Sequence, residues 1–366
     1  MPETLQINDL SDIISSLPSI NSDATYWFIR AQSGDYFTDF VTNQYVGIGF
    51  DEISLADVKN TASDKDKLKI MFQEKKPKDS KGNAIPVGTF TSWVGQLTRF
   101  ANDIKPGDYV LVPSKSSERF ALGVVTGDPF EITKQQLEEI PVVQGRQNSP
   151  FLKRLKVQFL KQFNREQADP ALYRMIYTQQ TLSKINKYIP YILRAAYDAY
   201  VSNNQLYLTF HVNQKEDING RAFTGFTYNL VEAYGELIPD SDPIIKSNVQ
   251  SEGDVQLVLA IAPVVGLLLL TLIVLHSKKG FTFKAMLGKD HGIELTKEDD
   301  GVVGQRVKGA ETKRLNEELE AKDAHIARML EFANKAGMNM DSIQASISKE
   351  LSEAIKKASE PNESED

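Results

Sequence analysis

Between Val255 and Leu275 the chain reads VQLVLAIAPVVGLLLLTLIVL, with no charged residue and only Gln256 and Thr271 as polar side chains. At about 1.5 Å rise per residue, roughly twenty such residues as a helix match the ~30 Å hydrocarbon core of a bilayer. A helix on the surface of a soluble domain carries a polar stripe, and this run has none. The run therefore predicts a transmembrane helix over residues 255–276, the alternative being a fully buried helix in an oligomer core. It divides the chain into a large folded region and a charged tail. Pro263 and Gly266 interrupt the run and are compatible with a kink, a hinge or a close helix contact.

The bulk numbers narrow the function. A net charge of -7 argues against broad binding along a phosphate backbone, although a local basic groove stays compatible with it. The absence of cysteine excludes disulfides, thiolate metal sites and cysteine nucleophiles. The four histidines are scattered, so no metal site is expected, and nothing calls for a cofactor. The first residues are acidic and polar, unlike a signal peptide, and LSDIISSL reads as a short amphipathic helix within an extension over residues 1–23.

Residues 24–132 read as a mainly β domain. YWFIRA and YVGIGF have strand composition, and the glycines of the second suggest a bulge or a close backbone approach. KLKIMF fits either a strand or a helix. Trp93, Leu97, Phe100 and Ile104 recur at helical spacing, and YVLVP and FALGVVTG follow as two strands. Short strands around one helix predict a small barrel or a strongly bent sheet. Residues 144–253 read as an α+β domain: helical through FLKRLKVQFLKQF and on to Val201 with an interruption at Pro190, then strands such as QLYLTFHV. In the tail, 277–366, FTFKAML and GIELTK fit a hairpin. Leu315, Leu319, Ile326 and Leu330, then Ile343, Ile347, Leu351 and Ile355, mark helix faces. The fold class expected is α+β, with a homo-oligomer assembled through the span and the tail helices.

WFIRA, VGIGFDEI, GQLTRF, GDYVLVP and ALGVVTGD occur in that order over the first third of the chain. Together they resemble the N-terminal domain of Mrr-type restriction proteins. The resemblance implies a PUA-like barrel, a fold that in several lineages holds a modified base or another small ligand in an aromatic pocket. Phe50 stands where that family often has Trp. Mrr-type proteins continue into a nuclease needing an Asp and a Glu/Gln-x-Lys for Mg²⁺. Gln73-x-Lys75 has the spacing but no paired acidic strand, so no nuclease and no other enzyme is expected.

On this reading the candidate ligand-binding residues are Trp27, Arg30, Phe50, Trp93, Arg99 and Phe100. The aromatic ones equally fit a barrel core. Arg30 fits a phosphate contact or a pair with Asp35 or Asp51, and Arg99 faces the same choice. The functional expectation is a membrane-anchored bacterial sensor or effector of anti-phage defence that binds a nucleotide-type ligand or modified nucleic acid. The alternatives are a membrane-tethered, non-cleaving reader of modified DNA and a structural membrane scaffold. Its partners would be the lipid bilayer and a nucleotide or modified DNA. Its place would be the inner membrane, crossed once, with the N-terminal region cytoplasmic. The lysines after the run, read by the positive-inside rule, favour the opposite orientation.

Overall fold

The computed structural model describes residues 3–7, 16–142, 147–177 and 180–212. Beyond these it describes strands at 244–249, 253–260, 281–286, 292–298, 301–305 and 345–346, and a few single positions between 220 and 231. The chain forms two compact units, one of residues 1–22 with 197–366 and one of residues 23–196. The first begins with strand β1 (Glu3–Ile7). The rest of the helix expected at LSDIISSL lies outside the described residues, apart from its end at Ser16 and Leu17.

The 23–196 unit is built on one curled sheet. Its strands are β2 (Tyr26–Ile29), β3 (Tyr45–Ile48), β4 (Tyr109–Pro113), β5 (Arg119–Val125), β6 (Phe130–Glu131), β7 (Lys153–Asn164) and β8 (Leu182–Lys184). They run in the order β3-β7-β5-β4-β2-β8, with β6 also on β7. All pairs are antiparallel except β2 with β4. The result is a half-barrel with two open edges rather than a closed barrel.

Strand β7 makes the curl. Its first four residues pair with β3, and Val157–Asn164 pair with β5, so one strand serves both arms of the sheet. The helix expected over FLKRLKVQFLKQF is thus corrected to a strand. From Leu155 onward burial alternates residue by residue: Leu155, Val157, Phe159 and Phe163 point inward, while Lys156, Gln158, Leu160 and Gln162 are exposed. That is the period of a pleated strand with one buried face. Because β7 joins the sheet, residues sequence reading assigned to a second domain complete the first unit.

The helices of this unit are α1 (Phe37–Thr42), α2 (Leu55–Asn60), α3 (Lys65–Lys75), α4 (Val87–Thr98), α5 (Lys134–Glu138), α6 (Tyr173–Ile176) and α7 (Ile189–Ala196). Asp64 caps α3 by accepting from the amides of Asp66 and Lys67, which resolves KLKIMF as helical. Helix α4 continues into a π turn over Arg99–Asp103. The helical stretch expected up to Val201, interrupted at Pro190, is instead short helices, strand β8 and the start of the strand Ala199–Ser202; Pro190 falls in the first turn of α7, where its missing N–H costs nothing. The core on one face of the sheet contains Trp27, Phe40, Ile53, Leu68, Phe72, Phe90, Leu97 and Phe100.

In the other unit, β9 (Ala199–Ser202) and β10 (Gln205–Val212) form a hairpin. Its two turn residues, Asn203 and Asn204, have φ of 49° and 56°, the left-handed values that a tight hairpin turn needs and asparagine tolerates. β11 (Ile244–Val249) and β12 (Gly253–Ala260) follow, and β12 pairs with β10 along its whole length. The transmembrane helix expected over 255–276 is therefore corrected at its start: Val255–Ala260 are strand. Gln256, buried in this strand, donates to Thr209 Oγ1 on β10 at 3.3 Å, a partner that membrane lipid would not offer. Residues 261–276 lie outside the described residues. Among the described residues no helix is long and apolar enough to cross a membrane.

β13 (Phe281–Met286) and β14 (Gly292–Glu298) pair antiparallel, the hairpin expected around GKDHG. β15 (Gly301–Gln305) and β1 extend the sheet. In the tail, β16 (Ala345–Ser346) pairs with β10, so these two positions are strand where a helix face was expected; the remainder of both tail helices lies outside the described residues.

Where β5 meets β7 the register shifts between Leu122 and Gly123. A Cβ at Gly123 would lie 2.5 Å from Val157 Cγ1 and 2.9 Å from the Gln158 carbonyl oxygen. Gly123→Ala is therefore expected to destabilise the unit by about 1–3 kcal/mol through overpacking. A lower urea midpoint with an unchanged slope checks this.

Candidate ligand cleft

Strand β3 is followed by Gly49-Phe50, and the chain turns there. Phe50 has φ of 67°, a left-handed conformation rare for a bulky side chain. What holds it is Lys153 on β7. Its side chain is fully buried, and its ammonium donates to the Phe50 carbonyl at 3.0 Å and to Asp51 Oδ1 at 3.2 Å, with Glu131 Oε1 at 3.4 Å. The second oxygen of Glu131 accepts from the Leu55 amide at 3.0 Å, fixing the start of α2. A buried ammonium must be paired, and the pairing here dictates the path of residues 50–55.

A second buried polar cluster positions Phe151. Asp39, 1% exposed, accepts from Asn43 Nδ2 at 2.6 Å, from the Ser149 amide at 2.8 Å and from the Tyr45 hydroxyl. Arg154 lies 4.2 Å from the centre of the Tyr45 ring and donates to the Phe151 carbonyl at 3.0 Å. Burial, and then the Asp39 carboxylate, push the Tyr45 phenol well above its ordinary value, so it remains a donor. The glycines of YVGIGF make room for Phe151. A Cβ at Gly47 would stand 3.2 Å from Phe151 Cβ, and one at Gly49 3.5 Å from its ring. Of the two readings of those glycines, close approach is the one realised.

Between these fixed parts lies a cleft of about 340 Å³ lined by Arg30, Gln32, Ser33, Gly49, Phe50, Glu52, Lys76, Trp93, Phe151 and Thr181. Phe50, Trp93 and Phe151 are half-buried and present ring surface to it. The Phe50 and Trp93 rings are 6.1 Å apart, backed by Phe72, which meets both edge-on at 6.4 and 5.7 Å. Lys76, just past the end of α3, places its ammonium 5.4 Å from the centre of the Trp93 ring and 2.5 Å from Glu52 Oε1. Burial raises the Glu52 carboxyl, but the Lys76 hydrogen bond and charge, its own backbone amide and Lys153 outweigh it, leaving the group below its ordinary value and ionised. Arg30 is anchored through Nη2 to the Ile176 carbonyl, with its backbone amide on Thr181 at 2.9 Å. Burial lowers its guanidinium, which still stays charged near neutrality.

Of the six sequence-derived candidates, the structure brings Arg30, Phe50 and Trp93 to this cleft. Trp27 is elsewhere: it is 3% exposed, and its indole Nε1 donates to Asp108 Oδ2 at 2.9 Å. Asp108 also accepts from the amides of Thr25 and Lys105, so the Trp of WFIRA and the Asp of GDYVLVP are one structural joint. Phe100 is fully buried in the core. Arg99 donates to the Gly95 carbonyl at 2.9 Å and lines a different cleft of about 480 Å³, together with Ser63, Lys65 and Asn102. Sequence reasoning missed Glu52, Lys76 and Phe151; the glycine pair of YVGIGF was the available signal for the last.

A family model described as "Domain of unknown function (DUF8426)" matches residues 27–186, nearly the extent of the 23–196 unit. No curated protein matches the chain. Among solved structures, the chain is similar to the YTH domain of Zygosaccharomyces rouxii MRB1 protein in complex with N6-methyladenosine RNA. The identity is 12%, the match covers 48% of this chain and 91% of that one, and the TM-score is 0.24. A TM-score that low does not establish a shared fold. Neither match is described as Mrr-type.

Replacing Lys153 by Met removes the ammonium that ties Phe50, Asp51 and Glu131 together. Because Asp51 and Glu131 retain some access to water, the expected cost is about 1–3 kcal/mol, seen as a lower urea midpoint. A change in native tryptophan fluorescence should accompany it as the Phe50 turn relaxes against Trp93.

Proposed function

We propose that the 23–196 unit is a ligand-reading module that takes a nucleobase-type ligand in the Phe50–Trp93 cleft. One observation carries this: three half-buried aromatic rings converge on one cleft with two cations and a carboxylate. Rings that serve only as core are covered, as Trp27 and Phe100 are. These three are half-buried and line the cleft. Stacking on such a ring contributes roughly 1–3 kcal/mol per base, and Arg30 and Lys76 supply cations for a phosphate. The cleft volume falls within the range of about 300–1,000 Å³ common for small-molecule sites.

A single nucleotide and a base flipped from a strand use the same pocket, and salt separates them. Contacts along a strand release counterions, so affinity for an oligonucleotide falls steeply with salt. Acidic side chains are in excess over the whole chain, which favours the smaller ligand. In this reading the module serves a bacterial sensor or effector of anti-phage defence at a membrane. Its attachment rests on residues other than 255–260, which are strand. Release of the full chain from membranes by alkaline carbonate would remove that part of the reading.

The test of the module is calorimetric titration of the full chain with nucleoside monophosphates and with oligonucleotides carrying methylated bases, at two salt concentrations. Trp93→Ala and Phe50→Ala are each expected to weaken binding by about five- to a hundredfold. No binding by a folded protein, or binding indifferent to both substitutions, would remove the proposal.

A further inference from the structure

The polar half of the cleft has a definite hydrogen-bonding code. Glu52 is ionised, so both its oxygens only accept; Lys76 only donates. The two stand side by side, 2.5 Å apart, with the Lys76 ammonium over the Trp93 ring, 5.4 Å from its centre. The cleft that holds the Phe50, Trp93 and Phe151 rings thus offers a ligand a two-oxygen acceptor next to a donor.

The four bases meet that pattern differently. Guanine presents an acceptor, O6, followed by two adjacent donors, N1–H and N2–H. Adenine offers one donor group, its amino nitrogen, beside the N1 lone pair. Cytosine offers one donor followed by two acceptors. Uracil and thymine hold a single N–H between two carbonyls. In each of the last three, a carboxylate that engages the donor leaves its second oxygen facing a lone pair or a carbonyl. Only guanine gives each Glu52 oxygen a proton while turning its O6 toward the Lys76 ammonium.

We propose that the Glu52–Lys76 pair makes this cleft selective for a guanine base. This rests on the stacking cleft described above and adds the identity of the base it reads. Glu52 is the specificity-determining residue and Lys76 its complement. Arg30 and Trp93 serve any base and do not discriminate. Before a ligand arrives, the pair satisfies itself, so the carboxylate is not left bare beside the aromatic rings.

The experiment is titration of the full chain with GMP, AMP, CMP and UMP, each against the native protein, Glu52→Gln and Lys76→Met. The native protein is expected to bind GMP at least about tenfold more tightly than the others, the discrimination a good bidentate contact supplies. In Glu52→Gln one oxygen becomes an amide that donates. GMP should fall to the level of the other nucleotides while AMP rises, because a carboxamide matches the donor–acceptor edge of adenine. That inversion is not the signature of a merely damaged fold. Lys76→Met keeps an apolar stem over Trp93 but should narrow the preference for GMP. Equal affinity for all four nucleotides, or a GMP preference that survives Glu52→Gln, overturns the assignment and leaves the stacking cleft standing. Absence of binding by every nucleotide removes the cleft reading itself, and this assignment with it.

Discussion

A fully buried ammonium ion organises the cleft-bearing unit of this protein. Lys153 is deep in the sheet, where an unpaired charge would be intolerable, and three oxygens from two separate stretches of chain converge on it. Each is a tether. The Phe50 carbonyl and Asp51 bring in the turn after β3, and Glu131 brings in β6 and, through its other oxygen, the first amide of α2. Remove the charge and these segments lose their shared reason for being where they are. Lys153 thereby fixes the Phe50 border of the cleft, while Trp93 comes from helix α4 and Phe151 from the residues just before β7.

The division of aromatic residues follows from how each element meets the sheet. Trp27 sits mid-strand on β2, between β4 and β8, and has no route to the surface; its one polar atom is met by Asp108. Trp93 sits on the face of α4 toward the turn after β3, where the layers separate. Six residues on, Arg99 has rotated by about 240° around the helix and serves another cleft. Helical spacing thus made α4 legible from sequence. Which aromatic residue would be sealed and which left partly open was not legible, because that depends on the strand order.

Strands β2 to β5 were readable because their β-branched and aromatic residues are flanked by turn formers. Strand β7 was not. Leu152, Leu155, Phe159 and Phe163 recur every three or four residues, while Leu155, Val157, Phe159 and Phe163 fit a period of two; the same letters satisfy both. The sheet decides, since β3 and β5 each need a partner. The start of the apolar run, Val255–Ala260, misled for a related reason. Its uniform hydrophobicity carries no period, and β10 supplies a strand for its first residues to pair with. No motif in the sequence marks Lys153 or Glu52. Their roles come from partners brought close only by the fold, 131 and 153 in one case, 52 and 76 in the other.

The left-handed backbone at Phe50 sets two demands against each other at a single position. Glycine would occupy φ of 67° without the strain of about 1 kcal/mol or more that a side chain incurs there. Glycine would also abolish the ring that borders the cleft. Stability alone favours glycine there, and the phenylalanine is kept at a cost in backbone strain. Phe50→Gly therefore trades a border of the cleft for a relaxed backbone at one and the same position.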